Sequence, residues 1–487
     1  MKVRTATLIP FLIIGAGILL RLWSFYDARS LFLDEANLAL NIAELGIPDF
    51  FQPLRYQQYA PPLYLVAVKI STLVFGNNEW ALRLPALLAG IFTLWLFYLL
   101  LKEWIQLPPA RWIPLLLLAC APFLVRYSTE LKQYSSDLLI CLSLIYMAQK
   151  LPLPTLRIRH FIMWSFIGIF GIWASMPVVF ILAGIGAYYG WQLFKRWDTS
   201  KALHFVWVGS SWLAAFFLLY HFVLQPSLQE EHLLNFHTPY FFPLNPLSAV
   251  SWQQAGEIMR GLLVEIVGYT ALGLALGALL LVWGCIRLFK LKPAWFFLLI
   301  VPILATIIAS SAGQFSLLPR VSLFLMPLFL LLISFGIEAM FFLIPGRWQL
   351  LPAALLLVGF SPIIKNLSSL GSSTEIEDIR AAILWSKEKE SLVLVHHEAA
   401  PAYRYYSEYH DDRSRFQLNA ILLTWDQTPA NILSENAPAR FVLLHSHLLS
   451  QFSRDYLHSW ITQASQYAQL MEEYRAEGAA ATLFMRR

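Results

Sequence analysis

The sequence predicts a polytopic α-helical membrane protein of about eleven transmembrane helices, followed by a small C-terminal α/β domain. Three observations predict it. Apolar residues make up 58% of the 487 and charged residues only 13%, a balance that a water-soluble chain rarely shows. Apolar runs near the ~20 residues that cross a bilayer recur over the first three quarters of the chain. From about residue 368 the sequence turns polar, and short apolar runs alternate with amphipathic ones. The formal charge of +5 is modest, and Lys and Arg gather in particular loops. That pattern is a topology signal, with membrane lipids and not nucleic acid as the expected surroundings.

Flanking charge orders the spans, with boundaries good to about two to four residues. Span 1 covers about 8–26, with Lys2 and Arg4 inside. It reads as a retained signal anchor, because no small-residue cleavage site follows the apolar run. A long outer loop then reaches about residue 80. Within it PPLYLVAVKISTLVFG is short, starts on two prolines and carries Lys69, so it reads as an interfacial or re-entrant helix. Read as a true span, it would put the basic loop KLPLPTLRIRH outside, against the positive-inside tendency. Spans 2 to 4 are expected at about 82–101, 112–126 and 136–149. Spans 5 and 6 meet in a tight outer turn near Ser175–Pro177. Span 7 (about 203–224) leads to an outer loop running to about Gly261, and span 8 ends at IRLFKLK. Span 9 is about 294–312, span 10 opens at Arg320, and span 11 exits near Lys365. Eleven spans leave the N-terminus in and the C-terminus out.

The division falls between residues 1–366, the membrane region, and 367–487, the α/β domain. LSSLGSSTE reads as a linker. IEDIRAAILWSK has helical spacing, SLVLVHH and RFVLLHSH read as buried strands, and AAPAYRYYSEYH reads as a helix. A long amphipathic helix is expected over about 452–475, then a last strand in AATLFMRR. There is no Gly-rich phosphate loop. Cys120, Cys141 and Cys285 lie in apolar segments without C-x-x-C spacing, so packing is their expected role.

The pair Asp34-Glu35 follows the first span directly. Charge against hydrocarbon costs several kcal/mol and usually faces a polar cavity; the alternative is a solvated juxtamembrane loop. The same map brings Arg126, Glu130, Lys132, Tyr134 and Asp137 to the outer junction of spans 3 and 4. Arg320 and the loop residues Glu230, Glu231, His232 and His237 join them. A carboxylate serves as general base toward a hydroxyl, and cations nearby hold a phosphate, Arg best because of its planar fork. The plainer readings are mutual pairing of Glu130, Lys132 and Arg126, structural pairing of Asp137 with Lys132, and snorkelling of Arg320. Arg21, within span 1, is expected to meet an acid. Arg83 reads as an interface anchor, and His396, His397 and Tyr405 as packing or surface residues.

The ordered set of an Asp-Glu pair after span 1, PPLYLVAVK, FGNNEWALRLPALLAG and RYSTELKQYSSD resembles the GT-C superfamily of polyprenyl-phosphate-sugar-dependent glycosyltransferases. It is most similar to the protein-mannosyltransferase and aminoarabinose-transferase-like group. The resemblance runs over about residues 8–345 and is strongest over 20–140. It implies Asp34 as catalytic base with Glu35 as companion. It also implies Pro61 and Pro62 in a helix flanking the active site, Glu130 and Lys132 near the same cavity, and Arg320 on the lipid phosphate. Relatives carry His or Lys before the double proline, where this chain has Tyr59-Ala60. The C-terminal domain fits only loosely, and its role does not carry over.

The expected function is transfer of a sugar from a polyprenyl-phosphate donor to an acceptor hydroxyl at the outer face of the plasma (bacterial inner) membrane. The acceptor is a glycan, lipid or protein, and a divalent cation is a possible cofactor with no ligand set singled out. The alternatives are a transporter or flippase of lipid-linked sugars and an outer-face glycan ligase or polymerase. The first would want charges deep in several spans and paired halves; here charge gathers at one face.

Overall fold

The computed structural model describes residues 2–225, 235–243, 245, 248–344, 346–348, 350–365, 376–436 and 438–486. Glu230, Glu231, His232 and the linker 367–375 lie outside the described residues. The helices of the membrane region are α1 (Lys2–Tyr26), α2 (Leu33–Glu44), α3 (Pro62–Phe75), α4 (Glu79–Trp104), α5 (Pro108–Cys120), α6 (Pro122–Tyr127), α7 (Tyr134–Lys150), α8 (Ile158–Ala174), α9 (Val178–Lys195), α10 (Thr199–Leu219), α11 (Ala249–Val267), α12 (Ala271–Leu291), α13 (Pro293–Ser311), α14 (Met326–Leu343) and α15 (Leu350–Lys365). Among the described residues seven helices are long and apolar enough to cross a membrane. This is a multi-pass membrane protein.

Two expectations change. The third span is broken, because Pro122 cannot continue α5 and restarts the chain as α6. The region expected as loop up to residue 261 contains α11, an amphipathic helix closed by Gly268 at φ 89°. The break after α5 leaves its last carbonyls without helical partners, and Arg21 answers them. It donates to the carbonyls of Ala119 at 2.9 Å, Leu118 at 3.3 Å and Gly17 at 3.0 Å. Arg21 therefore meets carbonyl oxygens and not the acid expected for it. The segment PPLYLVAVK is α3, only 14 residues long, and Lys69 donates to the carbonyl of Ile42 near the end of α2 at 2.6 Å.

Helix α14 is the axis of the bundle, with every residue from Met326 to Phe341 buried. Its crossing with α12 depends on two glycines: a Cβ on Gly284 would lie 1.8 Å from the Leu332 carbonyl, and one on Gly336 2.0 Å from that of Leu280. Within hydrocarbon such close backbone approach drives helix association. At one end of α14 the buried carboxylate of Glu338 accepts from the N–H groups of Gln106 at 2.5 Å and Leu107 at 3.1 Å and from Arg287 at 3.2 Å. Arg320 precedes the other end.

The C-terminal region is a five-stranded sheet of order β2-β1-β3-β5-β4, built from β1 (Leu392–Val395), β2 (Ala420–Leu422), β3 (Arg440–His445), β4 (Ala468–Ala476) and β5 (Ala479–Arg486). The first three strands are parallel and β5 runs antiparallel to β3. Helix α16 (Ile379–Glu388) contacts β3, β4 and β5. Helix α18 (Gln451–Ser465) contacts β4 and β5, and its Trp460 shares a buried cluster with Phe441, Leu443 and Phe484. The long helix expected to 475 stops at Ser465, because Gly478 at φ 60° turns 468–486 into a hairpin. Between β1 and β2 lies α17 (Ala400–Arg404), continued by a wider turn through Tyr409. The other face of the sheet shares one core with the first loop: Val393, Val442 and Ala481 cluster with Leu31, Ala36, Leu38 and Leu65.

Gly336→Val should lower the melting temperature of the detergent-purified protein sharply, by the equivalent of about 1–3 kcal/mol or more, because rigid backbone meets the added atoms. Gly209→Ala, whose Cβ meets nothing within 4 Å, should melt with the parent; equal melting of both variants would remove the close crossing.

Candidate active site

Asp34 and Glu35 occupy the first turn of α2, where a helix N-terminus favours carboxylates. Consecutive helical residues point about 100° apart, and the two part company. Glu35 turns inward and is wholly buried; its oxygens accept from Nε and Nη2 of Arg83 at 2.9 and 2.6 Å, and from the N–H of Leu131 at 2.6 Å. Arg83 also donates to the carbonyls of Arg29 at 2.7 Å and Ser30 at 3.3 Å. Glu35 thus forms a buried clasp with Arg83, beside Asp34 in sequence but turned away from Arg320. Arg83 is no interface anchor, since it is as buried as its partner. Burial pushes the Glu35 carboxyl up, but Arg83 outweighs that and holds it below the usual range.

Asp34 faces the opposite way, its side chain about a third exposed, 3.6 Å from Nη1 of Arg320. Lys132 is buried nearby and donates to Gln58 at 2.9 Å. Burial pushes the Asp34 carboxyl up, but Lys132, Arg320, His447 and His237 together hold it below the ordinary carboxylate range. It is a carboxylate at neutral pH. Burial pulls the Lys132 ammonium down, with Asp34 opposing.

The stretch 128–133, between α6 and α7, is buried throughout. Glu130 pairs with Arg126 at 2.7 Å and Arg29 at 3.4 Å, a support of the cavity wall and not a solvated interface charge. Asp137, buried in the first turn of α7, makes no ion pair with Lys132 among the described residues. Tyr134 packs edge-on against Tyr127, ring centroids 5.3 Å apart. Pro61 and Pro62 are buried at the start of α3; their restricted backbone sets the path of the chain, and Tyr59, two residues before Pro61, reaches the cavity wall.

That cavity, about 370 Å³, is mainly apolar. Tyr59, Phe180, Phe216, His237, Phe241 and Ser316 line it. Its wall includes residues 313–316 and Val321, so the loop that ends the cavity is the loop that carries Arg320. Burial pushes the Tyr59 phenol up to about 12, so it stays a neutral hydroxyl.

Sequence reasoning missed the contribution of the sheet region. Glu377, wholly buried, accepts from the N–H of Leu33 at 3.2 Å and from Ser446 at 2.7 Å, and bonds Nδ1 of His447 at 2.7 Å. Asp378 accepts from Ser30 at 3.1 Å, Tyr406 accepts from the Leu31 N–H at 2.8 Å, and Arg380 donates to the Ala28 carbonyl at 2.6 Å and to Glu79 at 2.8 Å. No local pattern marks a contact between residues more than 340 positions apart. The excess of polar residues around 377–380, just after the linker, is the one available hint. Tyr405 and Tyr406 belong to this buried contact.

Among the described residues the His and carboxylate group with metal-ligand spacing is His396, His397 and Glu398, in the sheet region. There the Glu398 N–H donates to Nδ1 of His396 at 3.3 Å, and the rings pack on Trp460 and Trp425 at 4.6 and 3.6 Å. Burial pulls His397 down to about 4 and His445 down to about 3, as expected of neutral packing histidines.

A family model described as dolichyl-phosphate-mannose-protein mannosyltransferase matches residues 59–221. No curated protein sequence matches the chain. Solved structures do: that of ArnT from Cupriavidus metallidurans in the apo state has 12% identity, covers 97% of each chain and has a TM-score of 0.55. The structure of the same protein bound to undecaprenyl phosphate has 13% identity, again covers 97% of each chain and has a TM-score of 0.54. The chain therefore has the fold of these ArnT structures over 97% of its length.

Glu35→Gln and Arg83→Met should each destabilise the protein by about 3–5 kcal/mol, since each strands a buried charge. The double variant should recover part of that loss in thermal unfolding; additive losses would show that the two side chains do not act as a pair.

Proposed function

We propose that this protein is an integral membrane glycosyltransferase that moves a sugar from a polyprenyl-phosphate donor to an acceptor hydroxyl. The observation that carries this is Asp34 and Arg320 at 3.6 Å, with Arg320 in the loop that closes the apolar cavity. A lipid phosphate needs an apolar channel for its chain and cations for its head. The likeness to an ArnT structure with undecaprenyl phosphate bound supports the same reading.

In the reaction the acceptor oxygen attacks the anomeric carbon while Asp34 takes its proton. The bond from that carbon to the phosphate oxygen breaks, and its electron pair leaves with the phosphate. Arg320 and Lys132 neutralise the charge that develops there. One displacement inverts the anomeric configuration. Asp34, already ionised by its cations, needs no activation. Tyr59 and His237 line the cavity as neutral polar groups that orient the sugar. The donor set does not fit a resident divalent cation: Glu35 is turned away onto Arg83, and Asp34 already faces two cations. Arg21, on backbone carbonyls, and Glu338, on Arg287, sit apart as structural supports, so a transport pathway through the bundle finds little in their placement. The loop charges support the outer face and an extracytoplasmic position of the sheet region.

Asp34→Asn should cut transfer of labelled sugar by about 10²–10⁴-fold, with insertion and lipid-phosphate binding retained; more than about a tenth of parental turnover would put the base elsewhere. Arg320→Ala should raise the donor KM strongly, and Arg320→Lys should restore only part of it because the planar fork is lost. A chelator should leave transfer unchanged, and a reporter fused after Gly371 should read as external; a chelator-sensitive activity or a cytoplasmic reporter would count against the cation-free, outer-face reading.

A further inference from the structure

We propose that the sheet region completes the active site with His447, mounted on Glu377 as a third cation for the donor phosphate beside Arg320 and Lys132. This rests on the reading of that cavity as the lipid-phosphate site. The geometry is specific. Glu377 is wholly buried and fixed by three donors, one of them the N–H of Leu33, the residue before Asp34. His447 gives Nδ1 to that carboxylate, while its side chain stays about a third exposed and Nε2 remains outside the pair. A buried carboxylate under a presented imidazole is a mount, and it selects the Nδ1–H tautomer.

The backbone around His447 fixes the pair as well. His447 adopts φ 63°, in the left-handed region that few residues other than glycine enter, histidine among the more frequent. The next residue, Leu448, donates to the Gly478 carbonyl at 3.1 Å, and Gly478 sits so close to the Ile376 carbonyl that a Cβ there would lie at 2.1 Å. The turn of the β4–β5 hairpin thus pins both halves of the pair beside the start of α2.

The charges around the pair set its response to pH. Glu377, Glu398 and Asp34 face His447, and the hydrogen bond to Glu377 holds its pKa above the ordinary value against burial. Asp34 in turn faces Lys132, Arg320 and His237. Burial and Arg320 pull His237 down, so it is neutral where His447 still carries charge. His447 is charged below its raised pKa and loses that charge as the pH rises through it. Phosphate affinity should therefore carry a component that weakens as the pH rises through the raised pKa of His447.

The test is binding of undecaprenyl phosphate to the full-length protein in nanodiscs, from pH 6 to 9, for the parent and the variants His447→Gln, His447→Lys and Arg320→Ala. The phosphate's own ionisation is common to all four. His447→Gln should bind on the order of three- to tenfold more weakly than the parent at the acid end, the effect of one screened charge, and the gap should close toward pH 9. His447→Lys should keep the parent's acid-end affinity across the range, a rescue that a merely structural role would not give. His447→Gln matching the parent's affinity at every pH overturns the proposal, as does an equal loss in both His447 variants. If Arg320→Ala also binds like the parent, it is the lipid-phosphate reading that fails.

Discussion

The buried ion pair between Glu35 and Arg83 is the constraint on which the rest of the site depends. It joins α2 and α4, the carbonyls of Arg29 and Ser30, and the N–H of Leu131. Four chain segments, which also pack together through Leu31, Ala36, Leu82 and Leu131, are thereby fixed around one carboxylate. A buried pair of this kind is weak evidence of net stability, because desolvation offsets much of the attraction. Its value is register. With Glu35 clasped, the helix can rotate no further, and its neighbour Asp34 is left facing Arg320.

The sheet region acts on the same few residues from the other side. Glu377, Asp378, Arg380 and Tyr406 hold the backbone or side chains of residues 28–33, so the loop leading into α2 is bonded from the membrane region and the sheet region alike. The shared core of Val393, Val442 and Ala481 with Leu31, Ala36 and Leu38 makes the sheet region a cover for α2. Its parallel strands end in neutral, packed histidines, which gives no sign of a second active centre there.

Much of the membrane region was legible because bilayer length and loop charge are one-dimensional signals. Spans 1, 2 and 4 to 11 correspond to single helices, with shifts at their ends. The third span broke where Pro122 interrupts the apolar run, which periodicity alone does not weigh. The site was legible as a set of residues, since Asp34, Lys132 and Arg320 do meet, but not in its internal geometry. Sequence puts Asp34 and Glu35 side by side; only the helix start at Leu33 makes them diverge into opposite roles. Arg21 failed as an acid partner because the orphan carbonyls that satisfy it arise from a helix break. His447 carried no local signal and Glu377 only the polar run around it, as their meaning exists only once the chain has folded back on its first loop.

The charge inventory of the cavity explains why this arrangement suits a phosphate leaving group. Asp34 lies 3.6 Å from Arg320 and also faces Lys132, so two cations attend this carboxylate before any donor arrives. The Asp34–Arg320 contact at 3.6 Å is long for a charge-assisted hydrogen bond and spans a side chain that is partly exposed on each side, which leaves it weak. A phosphate presenting more negative charge than one carboxylate outcompetes Asp34 for the guanidinium. On the reading proposed above, that exchange takes from Asp34 one of the cations around it, and the loss of a nearby cation raises its proton affinity. Asp34 is then ionised both before and after the donor binds, and its basicity toward the acceptor hydroxyl rises with the seating of the phosphate.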